Sequence, residues 1–289
     1  MILITGATGN FGKSTIDFLL KKGVSSSNIV ALVRDEEKAG ELKTKGVTLR
    51  LGDYDNKTQL LSAFTGIKKL LLVSGTDIAN RSKQHENVLQ AAKESGVKHI
   101  LYTSFERKNE TETSPISFVA KSHIATEKMI KSSGLTYTVF RNNLYLDILP
   151  WFFGENVLET GVFLPAGETK SALTSREDMA EAVSNVLMSE GHENKEYALS
   201  NSENVSIGQL AASLGKIVGK EVGYTSPTRE VYIETLTKAY VPTEFVAMFA
   251  GFSEAIQQGE FEVERSDLEA LLGRKPMTAD AFLAQVYGS

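Results

Sequence analysis

The sequence predicts an α/β protein, a doubly wound parallel sheet followed by a smaller, mostly helical C-terminal lobe. Three observations predict it. Short apolar runs alternate with helix-period segments through the first half of the chain. The runs are continuously apolar, as in Leu70-Leu71-Leu72-Val73, which suits strands covered on both faces. Beyond about residue 150 the alternation gives way to helical patterns.

In chain order, Ile2–Thr5 is a first strand that stops at Gly6. Phe11–Lys22 places Ile16, Leu19 and Leu20 at helical spacing. Asn28–Val33 is a strand, Glu36–Lys45 a polar helix, Val47–Leu51 a strand and Lys57–Phe64 a helix. Lys69–Val73 is a buried strand, and Asn80–Ser95 a helix closed by Gly96. Val97–Thr103 is a strand, Ala120–Ser133 a helix closed by Gly134, and Thr136–Arg141 a sixth strand. A less regular stretch opens at Trp151-Phe152-Phe153. Short strands at Gly161–Leu164 and Glu196–Ser200 flank a helix at Arg176–Met188. Helices follow at Ile207–Val218, Glu230–Ala239, Thr243–Gln258, Ser266–Leu272 and Ala279–Val286. Residues 1–150 are read as the core. Residues 151–289 are read as a lobe that shapes a pocket over the strand ends, with 173–200 partly returning to the core.

The 289 residues are 42% hydrophobic and 23% charged, an ordinary globular balance. A net charge of −5 disfavours nucleic acid as a main partner, since phosphate backbones need a clustered positive field. There is no cysteine, which excludes disulfides, thiolate metal sites and a cysteine nucleophile. His85, His99, His123 and His192 show no His-x-x-x-His spacing, so no metal is expected. The apolar N-terminus has no cationic segment before it, so no secretory leader is read and the cytoplasm is the expected compartment.

Gly6, Gly9 and Gly12 lie between the first strand and the first helix. Positions without side chains let the backbone turn tightly and approach a pyrophosphate, to which the helix offers free N–H groups. The residues Gly6, Thr8, Gly9, Asn10, Phe11 and Gly12 are therefore candidates for binding a dinucleotide. The spacing is G-x-x-G-x-x-G rather than the standard G-x-G-x-x-G, and its context after a strand and before a helix carries the reading. At the tip of the second strand, where an acid would hold the ribose of NAD, stands Arg34. A guanidinium suits a 2′-phosphate, so NADP is preferred, with NAD still open if Arg34 pairs with Asp35 or Glu36. Asp53 could accept from an adenine amino group or simply cap a turn. Ser74 and Gly75 offer an open backbone to the cofactor ribose.

The turn Thr5–Gly12, the Val33-Arg34 tip, Gly52-Asp53-Tyr54, Leu101–Ser104 and Phe140–Tyr145 together resemble the NmrA-like group of atypical short-chain dehydrogenases. His123–Glu127 and Glu190–Tyr197 make the chain most similar to its branch of NADPH-dependent quinone oxidoreductases of type 2 and triphenylmethane reductases. The resemblance implies a Rossmann core, bound NADPH and hydride transfer to a quinone or dye-like acceptor. It also implies an alternative, because the group includes non-catalytic dinucleotide sensors.

The Tyr-x-x-x-Lys pair of ordinary short-chain dehydrogenases is absent, with Val119 and His123 in its places. This disfavours a sugar-nucleotide epimerase, which needs that tyrosine as acid and base. His123 would stand where the lysine meets the nicotinamide ribose, unless it is a helix-surface residue. A quinone needs only modest stabilisation of its developing phenolate, and Asn142 or Tyr145 could donate to it. The aromatic run Trp151–Phe153 either stacks on a planar acceptor or packs between two lobes. Ser104 ends the fifth strand and is expected to face the site, and Lys170 to reach the cofactor from a loop of the second lobe. The expected partner is a small planar acceptor, with a homodimer left open.

Overall fold

The computed structural model describes Met1–Gly288. Its centre is a seven-stranded sheet, all parallel, in the order β3-β2-β1-β4-β5-β6-β9. The first half runs β1 (Ile2–Ile4), α1 (Asn10–Lys21), β2 (Ile29–Val33), α2 (Gly40–Thr44), β3 (Thr48–Leu51) and α3 (Lys57–Ala63). It continues through β4 (Lys69–Leu72), α4 (Arg81–Glu94), β5 (His99–Phe105), α5 (Ser117–Ser132) and β6 (Thr136–Asn142). The strand order reverses between β1 and β4, so the carboxyl ends open a crevice there.

The apolar runs build two cores because side chains alternate across a strand. Leu3, Leu70, Leu72, Ile100, Tyr102 and Val139 face the layer that holds Leu60, Phe64, Val88 and Ile130. Ile4, Leu71, Leu101 and Phe140 face the opposite layer, with Ile16 and Leu19 of α1. This second layer is completed by Met179, Val183 and Val186. They belong to α8 (Arg176–Met188), which comes long after the first six strands.

Between β6 and α8 the chain makes an excursion. It includes α6 (Leu149–Phe153), α7 (Val157–Thr160), β7 (Val162–Phe163) and β8 (Lys170–Ser171). After α8, β9 (Lys195–Leu199) joins β6 in parallel as the sheet's seventh strand. The tail then runs β10 (Val205–Ser206), α9 (Ile207–Val218), β11 (Tyr224–Thr225), α10 (Arg229–Lys238), α11 (Thr243–Gln257), α12 (Leu268–Leu272) and α13 (Ala279–Tyr287). Two small pairings, β10 with β8 and β11 with β7, tie this tail to the excursion. Together they enclose a third core of Leu144, Leu149, Phe152, Phe153, Leu164, Leu210, Phe261 and Leu283.

Two predicted helices differ most in extent. The polar helix over 36–45 splits into a 3-10 turn at Glu37–Ala39 and the short α2, with Gly40 at the break, a residue that weakens helix continuity. The helix predicted from Ala120 starts at Ser117. No helix among the described residues is long and apolar enough to cross a membrane.

Phe261 is fully buried in the third core, and its carbonyl accepts from Asn143 at the end of β6. Phe261→Ala is expected to cost about 3–5 kcal/mol. Urea unfolding followed by far-ultraviolet dichroism and by the single tryptophan, Trp151, should still give one coincident transition. Separate transitions would show that the sheet and the third core unfold independently.

Candidate functional site

A cleft of about 930 Å³ lies over the carboxyl ends of the strands. Its wall begins with Gly6, Thr8, Gly9, Asn10, Phe11 and Gly12, the whole glycine turn. Gly6 has φ +57°, in the left-handed region that favours glycine. A Cβ on Gly12 would sit 2.8 Å from the Gly6 carbonyl carbon and closer still to its oxygen. No side chain caps the N-terminus of α1, so its first N–H groups are open to a ligand.

Three strand ends are pinned around this turn. The Tyr54 hydroxyl hydrogen-bonds Thr5 Oγ1 and lies 3.1 Å from the Val73 carbonyl oxygen, while Val73 N–H donates to Thr5 Oγ1 at 2.9 Å. Burial pushes the Tyr54 pKa up, so it stays a phenol. Arg34, at the end of β2, lines the cleft, is exposed, and forms no ion pair among the described residues. The Asp35 carboxylate instead accepts from Glu37 N–H at 2.9 Å. Asp53 lines the cleft and also caps its own turn, accepting from Asp55 N–H at 2.9 Å. Lys13 points elsewhere, to Glu41 at 2.5 Å.

Ser74 and Gly75 form the next part of the wall. Ser74 N–H donates to Thr103 Oγ1 at 2.9 Å, and Gly75 N–H to His85 Nε2 at 3.3 Å. The Gly75 carbonyl accepts from Arg81 Nε at 2.7 Å. Beyond lie Tyr145, Asp147, Ile148, Pro150, Trp151, Arg176, Phe282 and Val286, an apolar mouth holding two charged groups and a phenol. The Arg176 guanidinium lies over the Tyr145 ring, 4.5 Å from its centroid. Asp147 accepts from Arg176 N–H at 2.9 Å and stands 3.8 Å from its guanidinium. The aromatic run divides: Trp151 is 67% exposed on the cleft wall, whereas Phe152 and Phe153 are buried in the third core.

Four of the candidate residues are not on the cleft wall, and each has another partner. Ser104 donates to Glu127, which also pairs with Arg107 at 2.8 Å. Lys170 is exposed on β8, where it pairs with Ser206 of β10. Asn142 is fully buried, and its Nδ2 donates to the Tyr145 hydroxyl at 3.1 Å, while its Oδ1 has no partner. His123 is a core residue rather than a helix-surface one, 4% exposed. Its Nδ1 meets the Tyr102 hydroxyl at 2.7 Å and its Nε2 meets Arg81 Nη1 at 3.2 Å. Burial beside Arg81 holds its pKa well below the ordinary histidine value. Asn142 and His123 thus reach the cleft only through Tyr145 and Arg81.

The family model for the NmrA-like family matches residues 1–283. The chain belongs to the NmrA-like family. It is 38% identical to quinone oxidoreductase 2 of Escherichia coli over 279 residues, 96% of each chain. The crystal structure of the NADPH complex of that E. coli oxidoreductase superposes with a TM-score of 0.93 and 35% identity over 100% of both chains. Triphenylmethane reductase of Citrobacter superposes with a TM-score of 0.92 and 36% identity over 99% of both.

In this NmrA-like chain the wall contains residues that sequence reading did not single out, above all Arg81 and Arg176. Each is the first residue of its helix, α4 and α8. A cation at a helix N-terminus opposes the helix dipole, and that mismatch was the available signal. His85, beneath Gly75, was missed as well. Thr126 gives its hydrogen to the Ser122 carbonyl, so it accepts from His85 Nδ1 at 2.9 Å, leaving Nε2 to accept from Gly75. Burial, then the Arg81 charge, lowers the His85 pKa to about 3.

Two outcomes follow. Gly12→Ala should abolish tight dinucleotide binding, measured by NADPH fluorescence titration, because the added methyl forces the turn open. Separately, His85 and His123 stay neutral in the fold but titrate near their usual value of about 6.5 when unfolded. The unfolded state then binds more protons, so stability is full above about pH 6.5 and falls as pH drops below it. His85→Gln should reduce proton uptake on unfolding by about one, read from the slope of urea stability against pH. An unchanged slope would show that His85 is already protonated in the fold.

Proposed function

We propose that this protein is an NADPH-dependent oxidoreductase that passes a hydride to a quinone or similar planar electrophilic acceptor. The observation that carries the reading is a single cleft that runs from Arg34, past the glycine turn, to the aromatic mouth at Tyr145 and Trp151. Its volume falls in the usual range for cofactor sites. Names among its relatives support it: a quinone oxidoreductase at 38% identity and an NADPH complex of the same fold.

The residues present fit the cofactor. The open N–H groups of α1 suit the pyrophosphate, and the unpaired Arg34 suits the 2′-phosphate. Asp53, Ser74 and Gly75 line the path between. Bound NADPH supplies a hydride, and the overall change is NADPH + quinone + H⁺ → NADP⁺ + hydroquinone. The protein's part is to hold the acceptor and deliver the proton. Tyr145 is placed for this. Its hydroxyl oxygen already accepts from Asn142, which leaves its own proton free for an acceptor oxygen in the cleft. Burial raises its pKa, so it is a proton donor at neutral pH, partly offset by the nearby Asn142 and Arg176. Asn142 is a positioning residue for that phenol. Trp151 and Phe282 offer flat apolar surface to a planar ring.

The test is oxidation of NADPH by purified protein with benzoquinones and naphthoquinones, followed at the NADPH absorbance band. Turnover is expected. Tight binding of NADP and NAD alike, with no oxidation by any acceptor, would favour a dinucleotide sensor instead. Arg34→Ala should weaken NADPH binding by roughly tenfold to a hundredfold and leave NADH nearly unchanged. Equal losses would remove the 2′-phosphate assignment. Tyr145→Phe should lower kcat by roughly 10²-fold or less, with NADPH affinity retained.

A further inference from the structure

We propose that Arg81 sets the charge of the acceptor: a buried guanidinium without an ion pair on the cleft wall makes the site favour neutral and anionic acceptors and disfavour cationic ones. The inference rests on the reductase reading above and adds a substrate class to it.

Two arginines are buried in the described residues, Arg81 and Arg107. Arg107 is neutralised by Glu127 and Glu110, each at 2.8 Å. Arg81 has no carboxylate within ion-pair distance. Its partners are neutral oxygens and a neutral ring: the Gly75 carbonyl at 2.7 Å, Ser122 Oγ at 3.1 Å and His123 Nε2 at 3.2 Å. Its Nη2 makes no hydrogen bond to the described protein, although the residue is only 6% exposed and lines the cleft. Asp77, on the same wall, is exposed and accepts from Asn80 at 2.9 Å and Gln84 at 3.4 Å; its carboxylate attracts Arg81 without forming an ion pair, through solvent that screens it. The position adds to the charge, because Arg81 opens the fourteen-residue helix α4, whose N-terminus is itself positive. Burial works against the cation, yet an arginine stays charged, so the protein bears this cost without a counterion.

Arg176, the guanidinium over the Tyr145 ring, has Asp147 beside it. Of the charged groups on this wall only Arg81 is buried; Asp55 and Asp77 on the same wall are exposed and screened by solvent, so the field of Arg81 acts most strongly on an acceptor held against it. Such a field acts oppositely on two kinds of acceptor. A quinone is neutral and gains negative charge on its oxygen as the hydride arrives, before a proton completes the hydroquinone, so the cation stabilises the transition state. A triarylmethane dye is a cation that the hydride neutralises. Its binding is repelled, and as the hydride arrives its positive charge passes to the nicotinamide, so no negative charge develops on the dye for Arg81 to stabilise. Although a triphenylmethane reductase shares this fold, the charge at this position points to quinones.

The experiment compares naphthoquinones of similar size carrying a sulfonate, a methyl or a trimethylammonium group, with crystal violet as the dye. Binding to NADP⁺-loaded protein is read from quenching of Trp151, and kcat/KM from NADPH oxidation, for the native chain, Arg81→Lys and Arg81→Gln. The native chain should bind the sulfonate roughly tenfold or more tightly than the trimethylammonium compound. Arg81→Gln should erase that ratio and improve dye binding, and Arg81→Lys should keep the native order. If Arg81→Gln scales all acceptors equally, or weakens only NADPH, Arg81 holds the dinucleotide and the proposal fails. A native chain without charge preference overturns it even if Arg81→Gln does not fold. Should no acceptor be reduced, the reductase reading falls, while the binding ratios still decide the role of Arg81.

Discussion

Strand β1 is three residues long and buried on both sides, and the position of its end governs the site. It lies at the centre of the sheet, paired in parallel with β2 and β4. The chain must leave it at Thr5 and enter α1 at Asn10 with the Gly12 backbone packed so closely on the Gly6 carbonyl that no Cβ fits at Gly12. Thr5 cannot drift, because Tyr54, beyond the end of β3, and Val73, beyond the end of β4, hold its hydroxyl. The open helix terminus, the Arg34 tip and the Ser74-Gly75 edge are all referenced to that fixed point. A small shift of β1 along its axis would misplace every group that faces the dinucleotide.

Beneath the same edge lies a polar layer in the core. His85, Thr126, Ser122, His123 and Tyr102 bond to one another or to Arg81 and Gly75. Such a network is costly to bury unless its members are satisfied. Here it fixes tautomers: Gly75 sees a lone pair, and Arg81 sees another. The layer converts two histidines, which at the surface would titrate near neutrality, into rigid acceptors that hold a backbone turn and a guanidinium in place. Val119 and His123 occupy the places of the absent Tyr-x-x-x-Lys pair as buried residues, and the phenol on the cleft wall comes instead from Tyr145, beyond β6.

Much of this was legible in the sequence. The apolar runs marked β1, β2, β4 and β5 because burial on both faces leaves no room for alternation. The glycine turn and Arg34 were legible because local geometry dictates them: a turn that only glycine fits, and a strand tip at a set distance beyond it. Arg81, Arg176 and His85 were not, since their meaning depends on partners far along the chain, Ser122 and His123 for Arg81, Tyr145 and Asp147 for Arg176. Ser104 and Lys170 were misplaced for a related reason. A residue's place near a strand end does not say which way its side chain is drawn, and Glu127 draws Ser104 into the core. The two-residue strands β8 and β10 are too short to leave a periodic signal.

The return of α8 and β9 to the sheet bears on how this fold can change. The helix that covers α1 and the strand that flanks β6 are made only after the excursion has been threaded. Cutting the chain near Pro150 would leave Ile16 and Leu19 without the α8 side chains that share their core, and β6 with an open edge, a template for aggregation. Recombination between relatives therefore cannot exchange the excursion and the tail together as a terminal cassette. It must replace two separate inserts, one before α8 and one after β9, while the strand and helix between them stay with the sheet they complete. A new shape at the cleft mouth is reached in such a chain by substitutions in place rather than by shuffling of modules.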